Sequence, residues 1–206
     1  MNKIEIELKE YLKTTPVNGE ELAALKVEVF INNAGFGFCS ETLNCEDDVE
    51  LNMIDVNIKA LHFLTKIILR SMVKRNKGYI LNVASSAGLL PAGPFMSTYY
   101  ATKAYVTSYT RGVAEELRRR KSKVYIGCLC PGPVDTEFNK VASVEFGLKG
   151  ITADVCANYA VTQMWKRKVT IVPTLKMKAA VVAGRLIPTK WYVKIAANQQ
   201  KKKIYK

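Results

Sequence analysis

Tyr99 and Lys103 stand four residues apart in the stretch STYYATKAYV, residues 97–106. On a helix that spacing puts both side chains on one face. A free phenol ionises near ~10 and exchanges protons poorly at neutral pH. An ammonium one turn away favours the phenolate and draws that value down. The pair would then serve as a proton donor and acceptor near physiological pH. Tyr100 lies about 100° further round the helix and three residues before Lys103, a second candidate on spacing. The same spacing also fits an amphipathic helix with Tyr inside and Lys outside, so the neighbouring segments must decide.

Three of those segments have a common form. FINNAGFG (30–37), NVASSAG (82–88) and PGPVDT (131–136) each follow an apolar run and consist of small, polar or turn-forming residues. The runs VEVFINN (27–33), GYILNVAS (78–85), KVYIGCLC (123–130) and VTIVP (169–173) are short and rich in Val and Ile, as buried strands are. Longer stretches at 46–76, 98–120 and 152–165 carry apolar residues at spacings of three and four. In 98–120 the apolar positions are Tyr99, Ala101, Ala104, Tyr105, Tyr109, Val113 and Leu117. Strand alternating with helix predicts an α/β sandwich around a parallel sheet, with the three polar segments at its carboxyl edge, where such folds build their sites. The N-terminal IEIELKEYL alternates like a strand over five residues but fits a helix better, and Asn18 with Glu21 forms a capping box for a following helix.

The chain has 206 residues, enough for one domain with a sizeable core, and 49% are hydrophobic. No apolar run approaches the roughly 18 residues that span a bilayer. The charged start is unlike a secretory signal. Five cysteines without a C-x-x-C pair point to reduced thiols and a cytoplasmic protein, with Cys128 and Cys130 on one face of a buried strand. His62 has no ligand partner at metal-binding spacing, so a structural role is expected and no metal site.

The net charge of +13 is uneven. Residues 1–60 hold 5 basic and 12 acidic side chains; residues 147–206 hold 13 and 1. Solvated helix faces and a lysine tail at 198–206 account for much of this, and no nucleic-acid partner is expected. The basic C-terminal stretch, broken by Pro188, either caps a substrate pocket or lies on an anionic membrane, the first being favoured.

Taken in order, NNAG at 32–35, Asn57 in DVN, Ser86, Tyr99-x-x-x-Lys103 and PGPVDT at 131–136 resemble the short-chain dehydrogenase/reductase family over roughly residues 20–195. Ser86 precedes Tyr99 by 13 residues, the spacing usual in the family, with Ser85 the runner-up. Within the family it is most similar to bacterial members that look like ketoreductases and to the oxidoreductases associated with lipoteichoic acid D-alanylation. The resemblance implies a Rossmann-like three-layer sandwich and NAD(P)(H)-dependent interconversion of a small-molecule carbonyl and alcohol, with NADP favoured over NAD.

It also implies roles. Tyr99 would transfer the proton, Lys103 would lower its pKa and hold the nicotinamide ribose, and Ser86 would bind the carbonyl. Asn57 would anchor a relay water, its other reading being a solvent-facing helix residue. Asn32, Ala34 and Gly35 would pass beside the adenosine, and Pro131, Gly132, Val134 and Thr136 would line the nicotinamide end. Family members commonly pair through the helices corresponding to 50–76 and 98–120.

The family's glycine-rich T-G-x-x-x-G-x-G turn, which grips the pyrophosphate, has no counterpart ahead of NNAG. Only Gly19 precedes Gly35. A sandwich lacking its first strands is therefore expected, with 1–26 an atypical segment and 27–33 an edge strand. The alternative function is a non-catalytic fragment acting as a binding module.

Overall fold

The computed structural model describes residues 26–138 and 150–204. The capping-box reading at residues 18–21 and the N-terminal helix lie outside them. Four strands, β1 (Val29–Asn32), β2 (Tyr79–Val83), β3 (Tyr125–Leu129) and β6 (Thr170–Ile171), form a parallel sheet in the order β1-β2-β3-β6. A second pair, β4 (Val134–Asp135) and β5 (Ile151–Thr152), runs parallel beside it. The helices are α1 (Asp47–Ile54), α2 (Leu61–Arg75), α3 (Ser97–Arg119), α4 (Ala153–Trp165), α5 (Leu175–Leu186) and α6 (Thr189–Ile204).

β2 and β3 occupy the interior of the sheet, and all five residues of β3 are buried. Their continuous Val/Ile/Leu character is what burial on both faces requires. Ile80, Leu81 and Ile126 are almost wholly buried, each worth about 2 kcal/mol of transfer free energy. Cys128 and Cys130 do share one face, with their sulfurs 3.8 Å apart. β1 is the edge among the described residues, with Val29 and Ile31 partly exposed.

The long helical stretch expected at 46–76 spans 47–75, but its middle is π-helical over Asp55–Ala60. Such insertions displace the backbone hydrogen bonds and recur at functional sites. In α3 the buried face carries Tyr99, Thr102, Lys103, Val106, Thr107, Thr110, Val113 and Leu117. Ala101 and Ala104, expected inside, are exposed. The helix thus turns a partly polar stripe toward the sheet.

Those polar groups are paired, as burial demands. Asn32 Nδ2 donates to Leu61 O and Thr65 Oγ1; Thr65 Oγ1 donates to Asn82 Oδ1; Asn82 Nδ2 donates to Thr110 Oγ1. This ladder ties β1 and β2 to α2 and α3. Pro188 separates α5 from α6 as its missing N–H dictates, and the lysine-rich end is helical as far as Ile204. No described helix is long and apolar enough to cross a membrane.

Candidate active site

Because β1, β2 and β3 are parallel and paired Asn32 to Asn82 to Cys128, their carboxyl ends finish at one edge. The segments after them, 33–38, 84–90 and 130–136, converge there around the N-terminal half of α3. Ser86 N–H donates to Pro131 O at 2.8 Å, joining two of the segments. Asn57 joins the third: its side chain accepts from Phe36 N–H and donates to Phe36 O and Thr102 Oγ1. Asn57 is fully buried, so it is not the solvent-facing helix residue of the second reading. It holds the backbone after NNAG against α3.

Two glycines permit this closeness. A Cβ on Gly35 would lie 2.9 Å from Asn57 Oδ1 and 3.1 Å from Lys103 Nζ. One on Gly37 would lie 2.9 Å from the Tyr99 ring. Only glycine lets the NNAGFG backbone pass so near both side chains. Gly88 has the same function on the other side, since a Cβ there would come within 2.2 Å of the Lys103 carbonyl oxygen.

Tyr99 and Lys103 meet at this junction, with Lys103 Nζ 5.9 Å from the Tyr99 ring centroid. Both are buried, Tyr99 at 8% and Lys103 at 4% exposure. Lys103 Nζ donates to Val83 O at 3.0 Å, and burial pushes the ammonium down to about 8. The Tyr99 ring packs with Phe138, Tyr100, Met96 and Met53. Burial raises its phenol to about 12, opposed by a hydrogen bond with Ser85. The expectation that Lys103 lowers the phenol is therefore corrected: desolvation outweighs an ammonium that points past the ring to a carbonyl.

Both serines lie at this edge. Of the two, Ser85 is the one whose side chain acts on the Tyr99 phenol, favouring its ionised form. Ser85 is extended (φ −168°, ψ 161°) and caps the short 3-10 turn Ser86–Leu89, its Oγ accepting from Ala87 N–H. That leaves its O–H to donate. Ser86 is buried, its N–H committed to Pro131.

The other sequence candidates divide. Ala34 and Gly35 are exposed beside Lys103. The Asn32 side chain is committed to α2, so it shapes the site by fixing the end of β1. Pro131 and Gly132 lie between Ser86 and α5, where Met177 would touch a Cβ on Gly132. Val134 packs into the cluster of Leu81, Tyr125 and Cys156, away from Tyr99, and Thr136 is exposed with its Oγ1 accepting from Phe138 N–H. His62 Nδ1 pairs with Tyr105 OH at 2.7 Å on the outer faces of α2 and α3, a structural role. Sequence reasoning passed over Thr102, Gly37 and the aromatic wall; a polar residue at i+3 from Tyr99 was the available signal for the first.

The short chain dehydrogenase family model matches residues 16–145. The chain belongs to this family of oxidoreductases. It is 36% identical over 124 residues to very-long-chain 3-oxoacyl-CoA reductase-B of Danio rerio, covering 58% of this chain and 39% of the relative. It is 35% identical over 124 residues to human 17-beta-hydroxysteroid dehydrogenase type 3, covering 59% and 39%. The chain thus spans about two fifths of the length of these relatives. Among solved structures it superposes on a short-chain dehydrogenase from Sphingobium yanoikuyae in complex with NADPH, with a TM-score of 0.70, 23% identity and coverage of 91% and 70%. It also matches one from Burkholderia phymatum in complex with NAD, with a TM-score of 0.69, 23% identity and coverage of 80% and 70%. The likeness is in the Rossmann-like fold, and the sheet described above corresponds to part of it.

Proposed function

We propose that the chain carries the catalytic half of an NAD(P)(H)-dependent carbonyl reductase, acting on a small-molecule ketone or, as its relatives' names suggest, a 3-oxoacyl thioester. The observation that carries this is the convergence of Tyr99, Ser85 and Lys103 at the carboxyl edge of the sheet, beside a glycine whose Cβ would strike Lys103. The same cradle fits a nicotinamide ribose: the Lys103 ammonium lies beside the exposed Gly35 backbone, with the Asn57 amide next to both. Lys103 and the Gly35 backbone would hold the ribose, and Pro131 and Gly132 would border the ring. NADPH and NAD in the two solved relatives support a nicotinamide of either kind. When bound, it supplies hydride to the carbonyl carbon.

The chain's own residues provide the rest. The buried phenol stays protonated at neutral pH, so Tyr99 Oη is set to give its proton to the carbonyl oxygen as charge develops there. The Ser85 hydroxyl orients that oxygen and shares its charge. The phenolate left behind is stabilised by the Ser85 hydroxyl, then reprotonated from solvent. Asn57 is a positioning residue, holding the 35–37 backbone against α3. Exposed Leu51 and Phe63 on the 47–75 helix support pairing of two copies along that helix.

The test is NADPH-dependent reduction across a panel of ketones and 3-oxoacyl thioesters, read beside an NADPH fluorescence titration. Tyr99→Phe should lower turnover at least about 100-fold and leave nucleotide binding unchanged. Full turnover in that variant would refute the proton-donor role.

A further inference from the structure

The last acidic residue of the chain is Asp154, and α5 and α6 together carry eight basic and no acidic residues. On α5, Leu175, Val182 and Leu186 fall within about 40° of one another around the axis. They are 80%, 58% and 80% exposed. Exposed Lys176, Lys178 and Arg185 flank this stripe, and Met177, Val181 and Gly184 turn the other way into the protein. α6 repeats the arrangement. Trp191 and Ile195 share an exposed stripe, Lys190 and Lys194 lie along its side, and Ala196 and Gln200 are buried opposite.

Two successive helices therefore present large apolar side chains to solvent, and the charged residues beside them are all cations. Solvated surface helices place charge on that face instead. The inward faces of both helices hold the catalytic segment: Arg185 Nε donates to Leu89 O, Gly184 packs on Leu90, and Gln200 Nε2 donates to Tyr100 OH.

We propose that the outer faces of α5 and α6 are an interfacial docking surface for an anionic lipid bilayer. Leu175, Val182, Leu186, Trp191 and Ile195 enter the acyl boundary, and the flanking lysines meet headgroup phosphates. Charge complementarity selects this occupant. A second copy of the same face would bring cation against cation. A nucleic acid would satisfy the cations but leave exposed Leu and Val without an apolar partner. A bilayer satisfies both, and docking there sets the segment leading to Tyr99 close to the membrane surface.

The experiment is cosedimentation of the full chain with phosphatidylcholine vesicles, with and without phosphatidylglycerol. In a W165F background, tryptophan emission reports Trp191 alone. The expected result is binding about tenfold or more tighter to the anionic vesicles, with a blue shift of Trp191. V182S/L186S should weaken binding about tenfold or more, and K190Q/K194Q should weaken it several-fold. These side chains are exposed, and the wild-type comparison of the two vesicle types does not depend on any variant. Equal binding to both vesicle types, an unshifted Trp191, or a V182S/L186S variant that binds as wild type would each overturn the proposal. So would nucleic-acid binding indifferent to V182S/L186S, or self-association that L186S abolishes.

Discussion

Replacing Lys103 with Met tests the electrostatics of the site without requiring turnover. In the folded chain, burial lowers the Lys103 ammonium from 10.5 to about 8. Below pH 8 both folded and unfolded chains carry the proton, and the folded state bears the full cost of burying it, about 3 kcal/mol. Between about 8 and 10.5 the folded state releases the proton first. The unfolded state then binds more protons, and stability rises with pH. Tyr99 has the opposite sign. Its folded value of about 12 exceeds the ordinary 10, so its contribution is lost only as pH climbs from 10 towards 12. The informative window is therefore pH 7 to 10.

K103M also loses the charged hydrogen bond to Val83 O, worth roughly 1.5–3 kcal/mol. At pH 7 that loss and the relieved burial cost nearly cancel, and the two proteins should unfold at similar urea concentrations. By pH 10 the wild type should have gained about 2–3 kcal/mol relative to K103M. Other titrating groups are common to both proteins and largely drop out of the difference. Urea unfolding at pH 7, 8, 9 and 10 measures it. Parallel stability curves would show that Lys103 is not a desolvated ammonium and would remove the electrostatic account given above.

Two further outcomes follow from single contacts. S85A should lower kcat/KM about 100-fold, whereas S86A should stay within about threefold of wild type; the reverse order in steady-state kinetics would restore Ser86 as the substrate-facing hydroxyl. G88A should destabilise by about 3 kcal/mol or more, read as a fall in Tm, because its Cβ meets the Lys103 backbone carbonyl rather than a side chain that can move. An unchanged Tm would show that the 85–89 turn does not pack as tightly on α3 as described.

The amino-acid order by itself determined the alternation of strand and helix, the parallel sheet and the edge at which the site lies. Periodicity and turn residues are local signals, and the runs at 27–33, 78–85, 123–130 and 169–173 each contain their strand. It also marked Tyr99 and Lys103, since four residues on a helix is one turn whatever surrounds it. Which face of α3 is buried was a tertiary matter. Thr102, Thr110 and Lys103 look like surface residues by hydropathy, and they are inside because Asn57, Asn82 and Val83 supply their partners from elsewhere in the chain. That Ser85 caps a four-residue turn came from the fold of the 84–90 segment. The protonation of Tyr99 came from the aromatic wall closing over it. Desolvation depends on how much protein surrounds a group from all directions, and no spacing along the chain encodes that.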